Sequence, residues 1–251
     1  MSGSNAFYDA LFHRCGVISV DNPSQFLETL KYLCVVDRPK GNHIVGFTCS
    51  GGGATMLADH GAKIALEFPA FDKAATEKLR TLLPPIATVS NPLDYTTPIW
   101  GQPEITEKVF EASIAAQNAD VTVLVQDYPA PGLDEGKVFY SNDAGAFGRA
   151  AARLGVPAAI CATLPENLDQ ETRESLIEQG IAPMQGIHEC LNAIKHACDW
   201  SKSQQSILSR PLPPVISPRN ITSCPRYLNE YESKRILTKA GMPVSKGHLV
   251  H

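Results

Sequence analysis

Short apolar runs separated by amphipathic segments dominate the chain from residue 43 to about residue 203. The runs "HIVGFT", "KIALEF", "DVTVLVQDY", "VPAAICATL" and "IAPMQ" have the length of buried strands, and the segments between them place apolar residues at helical spacing. Strands that alternate with helices indicate a parallel sheet covered by helices on both faces. The pattern therefore predicts an α/β fold over residues 41–203. We expect a doubly wound, mainly parallel sheet in a flavodoxin-like or Rossmann-like three-layer sandwich.

The two ends of the chain are expected to belong to other structural units. Residues 1–40 contain two predicted helices with a short strand, "VISV", between them, and they resemble the tail of a preceding domain. Residues 204–226 are rich in proline and polar residues, which is typical of a linker. Residues 227–251 hold one amphipathic helix, ending at Gly241, and the start of a strand. Such short pieces cannot bury their own apolar faces, so we expect a chain that is cut at both ends.

Composition and charge exclude several classes of protein. The net charge of −4 gives no electrostatic basis for binding nucleic acid or an anionic membrane, and no apolar stretch of about 18 residues could span a bilayer. The seven cysteines are irregularly spaced and form no C-x-x-C pair, which indicates reduced thiols in a cytoplasmic protein. His188, Cys190 and His196 are close in sequence, but a partly buried helix face explains them better than a metal site.

The glycine turn "TCSGGGATMLADHG" lies between a predicted strand and a predicted helix. A G-x-G-x-x-G dinucleotide motif fails because position 56 is methionine, and a G-x-S-x-G nucleophile turn fails because Thr48 replaces its first glycine. The N–H groups at a helix start are unpaired and carry partial positive charge, and glycine lets an anion approach them. The turn is therefore either an anion site or a plain turn with Ser50 as the N-cap.

A second polar segment, "LLPPIATVSNPLDYTTP", follows one helix later. The residue before a proline is steered away from the helical conformation, so Asn91 and Pro92 predict an extended turn. Asp94 and Thr96 then fall on a loop that is expected at the carboxyl edge of the sheet, where α/β proteins bind ligands. The alternative is that Asp94 only caps the next helix or turn. Because loops of this length are more often functional, we favour a ligand site.

Together these segments resemble a known enzyme family. "SGGGATMLAD" followed by "LPPIATVSNPLDYT" is similar to the NDP-forming acyl-CoA synthetases, which include ADP-forming acetyl-CoA synthetase and succinyl-CoA synthetase. "NAFYDALFHRCGVISVDNPSQFLETLKYL" resembles the end of that family's second domain. "LNEYESKRILTKAGMPV" resembles the opening of its ATP-grasp domain. The resemblance covers almost the whole chain and implies the same flavodoxin-like domain over residues 41–203.

The resemblance implies an acid–thiol ligase: acid + CoA + NTP ⇌ acyl-CoA + NDP + phosphate, through a phosphohistidine. That histidine would lie upstream, in a segment similar to S-H-T-G, because His13, His43 and His60 do not match its motif. The full-length enzyme would use ATP/ADP with Mg²⁺ and CoA, none of them bound by this segment alone. Its partners would be the CoA-binding and ATP-grasp domains of the same polypeptide, a small carboxylic acid and phosphate, in a homo-oligomer. We expect the isolated chain to be inactive.

The resemblance also implies roles for the two central segments. It implies a phosphate-facing helix end formed by Ser50, Gly51, Gly52, Gly53 and Ala54. It implies that the neighbouring loop lies beside the acid or its acyl phosphate, through Asn91, Pro92, Asp94 and Thr96. No catalytic residue and no metal ligand are implied within the chain.

Two other functions stay open at this point. A stand-alone α/β module that binds an anion or a nucleotide would need the same glycine turn. An NAD(P)-dependent oxidoreductase is the weaker alternative, because Met56 interrupts the dinucleotide motif.

Overall fold

The computed structural model describes residues 4–130, 132–209 and 227–247. The chain divides into two compact units, Met1–Pro211 and Leu212–His251. Among the described residues, none of the helices combines the length and the apolarity needed to cross a membrane.

The first unit is built on a five-stranded sheet. Its strands are β1 (Ile44–Thr48), β2 (Leu93–Asp94), β3 (Val121–Val125), β4 (Ala158–Ala162) and β5 (Ile181–Gln185). The strand order is β2-β1-β3-β4-β5 and every pair is parallel. This is the flavodoxin-like order, in which the chain reverses its direction of winding between β1 and β3. The predicted fold class is confirmed.

Helices cover both faces of the sheet. The helices of this unit are α1 (Asn5–Cys15), α2 (Pro23–Val35), α3 (Gly51–Lys63), α4 (Lys73–Leu82), α5 (Pro103–Gln117), α6 (Lys137–Leu154), α7 (Gln170–Glu178) and α8 (Ile187–Ser209). One core cluster joins the sheet to α4, α5, α6 and α7. A second cluster joins the other face to α2, α3 and α8. The central strands β1, β3 and β4 are buried along their whole length, which explains why they read as continuous apolar runs.

The edge of the sheet beside β1 differs from the sequence prediction. "KIALEF" makes a single bridge between His43 and Glu67, and the positive φ of 55° at Ala65 interrupts its extended backbone. The strand beside the carboxyl half of β1 is instead Leu93–Asp94, from a segment predicted to be irregular. The predicted strand "VISV" is also absent from the described structure.

Helix α2 is part of the first unit. Its N-cap residue, Asn22, accepts a hydrogen bond from the Gln25 N–H, and Tyr32 is completely buried in the second core cluster. The helix packs against α8 and β5. The assignment of residues 1–40 to a preceding domain stays a prediction.

The second unit contains one described helix, α9 (Glu230–Lys239). The side chain of Asn229 accepts from the Glu232 N–H, and Glu232 accepts from the Asn229 N–H, which forms a capping box. Of the predicted linker at residues 204–226, the first residues continue α8 to Ser209, and residues 210–226 lie outside the described residues.

Candidate functional site

The glycine turn lies at the carboxyl edge of the sheet, at the switch point between β1 and β3. Helix α3 begins at Gly51, three residues after β1 ends at Thr48. The Ser50 Oγ accepts a hydrogen bond from the Gly53 N–H at 3.2 Å, and the Ser50 N–H donates to the Thr48 Oγ1 at 3.2 Å. Because ligands of open α/β sheets bind outside the carboxyl ends of the strands at such a point, the turn is in the expected place for a site.

The three glycines differ in what surrounds them. A Cβ atom on Gly53 would lie 2.6 Å from the Thr48 Oγ1, so packing against the strand demands glycine there. A Cβ on Gly52 would meet nothing within 4 Å, and one on Gly51 would have only the Asp94 Oδ2 nearby, at 3.7 Å. Packing explains Gly53, but the structure offers no packing reason for Gly51 and Gly52.

Two N–H groups at the start of α3 are available to a ligand. The Gly53 N–H is taken by Ser50, and the Ala54 N–H donates to the Ser50 carbonyl at 3.2 Å. The N–H groups of Gly51 and Gly52 donate to no group among the residues that the structure describes. The aligned peptide dipoles of the 13-residue helix add partial positive charge at this end. The arrangement suits an oxyanion such as phosphate.

The polar segment "LLPPIATVSNPLDYTTP" contributes residues to two different places along β1. The side chain of Asn91 accepts from the Gly46 N–H at 3.1 Å and donates to the carbonyls of Ile44 and Pro69. Pro92 packs against Gly46, where a Cβ would lie 3.1 Å from the Pro92 Cβ. Asn91 and Pro92 therefore lie beside the middle of β1. The Asn91 side chain takes the place of the backbone partner that a longer β2 would supply.

Asp94, in contrast, lies at the carboxyl edge beside the start of α3, and Thr96 is bonded to it. The Asp94 Oδ1 accepts from the Thr96 N–H at 3.0 Å, while the Asp94 Oδ2 faces Gly51. Thr96 has a φ of 68°, which is rare for a β-branched residue, and its buried Oγ1 has no hydrogen-bond partner. The structure thus brings the Asp94 carboxylate next to Gly51, and the same carboxylate holds the Thr96 N–H.

A carboxylate that sequence reasoning missed stands at the next loop of the same edge. Asp127, two residues beyond β3, accepts bonds from the Thr163 N–H and Oγ1 at 2.8 Å and from the Asn167 Nδ2 at 2.9 Å. A carboxylate two residues after the apolar run "VTVLV" was the available signal. Its donors follow β4, however, and only the parallel pairing of β3 and β4 brings them into reach.

Cys49, between Thr48 and Ser50, is not activated as a nucleophile. Burial raises the pKa of the Cys49 thiol, and the nearby carboxylates of Asp143, Asp94 and Asp127 raise it further. A thiol with a raised pKa stays protonated at neutral pH. Among the described residues, no group of three or more His, Cys, Asp or Glu side chains could hold a metal ion.

Comparison with known proteins finds relatives along the chain, although no family model matches it. It is 28% identical over 125 residues to the α subunit of an ADP-forming acetate–CoA ligase II of Pyrococcus furiosus, covering 50% of this chain and 26% of that protein. An ADP-forming acetate–CoA ligase of Methanocaldococcus jannaschii is 29% identical over 94 residues, 38% of this chain and 13% of the ligase. A trans-feruloyl-CoA synthase from an unknown prokaryote is 24% identical over 245 residues, 96% of this chain and 33% of the synthase. The chain therefore spans only a minor part of these relatives.

Solved structures share the fold. The protein PH0766 of Pyrococcus horikoshii OT3 superposes with a TM-score of 0.67 at 22% identity, over 80% of this chain and 45% of that one. A dinucleotide-forming acetyl-coenzyme A synthetase 1 of Ca. Korarchaeum cryptofilum, in complex with phosphate and ADP, has a TM-score of 0.67 at 17% identity, over 83% and 44% of the two chains. Together with the ligases similar in sequence, they confirm the predicted resemblance to NDP-forming acyl-CoA synthetases.

Proposed function

We propose that this chain supplies the oxyanion-binding α/β domain of an acid–thiol ligase that forms acyl-CoA and releases NDP and phosphate. The observation that carries the proposal is the pair of unpaired N–H groups of Gly51 and Gly52 at the start of α3. They lie at the switch point of a flavodoxin-like sheet, with the Asp94 carboxylate beside Gly51 and Thr96 bonded to that carboxylate. The similarity to ADP-forming acetate–CoA ligases supports the same reaction class.

In the proposed reaction the start of α3 holds a phosphoryl group while it passes between the acid and a histidine. The Ser50 Oγ already accepts from the Gly53 N–H, which leaves its own hydrogen free to donate to a phosphate oxygen. Fixed N–H dipoles stabilise negative charge without having to reorient during transfer, which is the usual role of such groups in phosphoryl transfer. The phosphohistidine would come from another part of the enzyme.

The acid would lie beside Asp94 and Thr96, with Asn91 and Pro92 shaping the loop from behind. The names of the relatives include acetate and trans-ferulate as acids, and we assign neither to this chain. ATP, Mg²⁺ and CoA would be held by the CoA-binding and ATP-grasp domains of the same polypeptide, in a cytoplasmic homo-oligomer. No described residue is assigned to them.

Phosphate titration tests the helix end directly. In ¹H–¹⁵N spectra of the chain, we expect the amide signals of Gly51 and Gly52 to shift in a saturable manner as phosphate is added. Gly52→Ala should weaken phosphate binding about tenfold, roughly 1.4 kcal/mol, because the added methyl group stands where the anion approaches. The fold should tolerate this methyl group, since it meets nothing within 4 Å.

Gly136→Ala provides the matched control. Gly136 is the N-cap of α6, and a Cβ there would also meet nothing within 4 Å, so this variant should bind phosphate as the parent chain does. The proposal is wrong if phosphate leaves the Gly51 and Gly52 signals unchanged, or if the two alanine variants weaken binding equally.

A further inference from the structure

The buried carboxylate of Asp143, in the middle of α6, collects hydrogen bonds from a single stretch of chain. Its Oδ1 accepts from the Gly101 N–H at 3.1 Å and from the Thr106 Oγ1 at 3.0 Å. Its Oδ2 accepts from the Tyr95 hydroxyl at 2.9 Å. Asp143 has no exposed surface. All three donors therefore belong to residues 95–106, the segment that follows Asp94.

These bonds fix a segment that touches the proposed site, which we call the switch-edge loop (residues 94–101). The loop begins at the Asp94 carboxylate beside Gly51, and the Tyr95 N–H donates to the Thr48 carbonyl at 2.9 Å. Its far end is held by Asp143 through Gly101. The position of Asp94 relative to α3 thus depends on how firmly both ends of the loop are held.

The switch-edge loop does not satisfy its own polar groups. Thr96 has a positive φ, and neither its Oγ1 nor the Trp100 Nε1 has a hydrogen-bond partner, although both atoms are buried. A conformation with strained backbone and unpaired polar atoms persists only where contacts with the surrounding structure hold it in place. Two of the three bonds to Asp143 come from this loop, from Tyr95 and Gly101, and the third comes from Thr106 in the first turn of α5, directly after the loop.

The groups facing Asp143 show that it acts as a hydrogen-bond acceptor and not as half of an ion pair. Burial raises the pKa of Asp143, and no cation contributes to that pKa. The ionisable groups near it are Tyr95, Tyr128 and Cys49, whose own pKa values are raised by burial and by Asp143. If a proton were bound at Oδ2, that oxygen could donate to the Tyr95 hydroxyl oxygen, so the contact survives in either protonation state.

We propose that Asp143 is a positioning residue that holds the switch-edge loop, and with it Asp94 and Thr96, against the start of α3. This inference rests on the proposed function for its effect on phosphate. Its effect on the loop is independent of that function and can be measured separately.

The test compares Asp143→Ala with Asp143→Asn in a Trp200→Phe background, which leaves Trp100 as the only tryptophan of the chain. Asparagine keeps an acceptor for Gly101 and Thr106 and can donate to the Tyr95 oxygen, so its Trp100 emission and phosphate affinity should match the parent chain. Alanine removes all three bonds. It should shift Trp100 emission to longer wavelength and weaken phosphate binding about tenfold while the chain is still folded.

Thr122→Val is the control for general destabilisation. The Thr122 hydroxyl is also completely buried and donates to the Val45 carbonyl at 3.1 Å, but it does not contact the loop. Its loss should lower the melting temperature without changing Trp100 emission or phosphate affinity. If Asp143→Ala fails to fold, Tyr95→Phe removes one of the three bonds and should give a smaller shift in the same direction.

The inference is overturned if Asp143→Ala leaves Trp100 emission and phosphate affinity unchanged, or if Asp143→Asn is as harmful as alanine. A parent chain that binds no phosphate would refute the proposed function instead. In that case the Trp100 emission of the two variants would still decide whether Asp143 positions the loop.

Discussion

Two neighbouring parts of the carboxyl edge of the sheet differ in whether their polar groups have hydrogen-bond partners. After β3 and β4, the Asp127 carboxylate accepts hydrogen bonds from the backbone and hydroxyl of Thr163 and from the Asn167 amide. After β1, the N–H groups of Gly51 and Gly52 have no partner among the described residues. Both parts lie where a flavodoxin-like sheet binds ligands, but the second leaves backbone N–H donors without a partner among the described residues.

The difference distinguishes a structural clamp, formed by Asp127, Thr163 and Asn167, from the candidate site at the start of α3. Most polar groups that are withdrawn from water are paired within the protein, so a carboxylate that already has three protein donors needs no ligand to explain it. Unpaired N–H groups at an open helix end, flanked by glycines that packing does not require, are available to the ligand that we propose. Substitutions on the two sides should therefore affect stability and phosphate binding in different proportions.

Removing the clamp should have the largest effect on stability. Asp127→Ala leaves the donors of Thr163 and Asn167 without an acceptor, which should lower the free energy of unfolding by about 2–3 kcal/mol in urea titrations. Asp127→Asn keeps one acceptor oxygen and should lose roughly half as much. Phosphate affinity of the folded chain should stay the same. A loss of affinity as large as that of Gly52→Ala would show that both parts of the edge form one site.

Alanine scanning of the glycine turn should sharpen the contrast within the candidate site. Gly53→Ala brings a methyl group to 2.6 Å from the Thr48 Oγ1 and should cost about 1–3 kcal/mol of unfolding free energy. Gly52→Ala should change it by less than about 0.5 kcal/mol. Adding Thr48→Ala to Gly53→Ala should recover part of the loss. Equal stability losses for the two glycines would contradict the geometry described for them.

Ser50→Ala, at the start of α3, should reduce both the stability of the chain and its affinity for phosphate. Loss of the N-cap should lower the unfolding free energy by about 1 kcal/mol, and phosphate affinity should fall several-fold because a hydroxyl donor is lost. Asp72→Ala is the matched control, since Asp72 caps α4 through the Ala75 N–H at 2.7 Å, away from the turn. It should reproduce the loss of stability alone. Weakened phosphate binding in both variants would indicate a general effect of helix fraying.

Acid titration should show the smallest effect, with opposite signs for Asp169 and Asp143. Burial works against ionisation of Asp169, but hydrogen bonds from Thr172 and Lys137 outweigh it and lower its pKa. Its contribution, less than about 1 kcal/mol, is present above an unfolded pKa near 4 and is lost as pH falls through the lowered folded value. Asp169→Asn should flatten this acid slope. Asp143 should have the opposite effect on the pH dependence, because burial raises its pKa. Its contribution to stability is therefore lost as pH rises through the raised pKa of the folded state.

Much of the fold follows from local pattern. The five-residue strands β1, β3, β4 and β5 are apolar runs, and caps such as Asn22 and Ser50 mark where helices begin. The edge strand was the exception. "KIALEF" has the composition of a strand, but Glu67 bridges only the start of β1, and the rest of that edge is taken by the Asn91 side chain and by β2. Edge partners are chosen by competition between segments, which no local pattern records.

The sequence alone determined the alternation of strands and helices, the glycine turn with its Ser50 cap, and the resemblance to NDP-forming acyl-CoA synthetases. These depend on residues close together in the chain, and short-range spacing reports them. Only the tertiary structure decided which glycine is required by packing, that Asn91 supports β1, and that Asp127 and Asp143 bind distant segments. The contacts of Asn91 with β1 and those of Asp127 and Asp143 join residues 36 to 48 positions apart, and parallel strand pairing and helix packing, not spacing, bring them together.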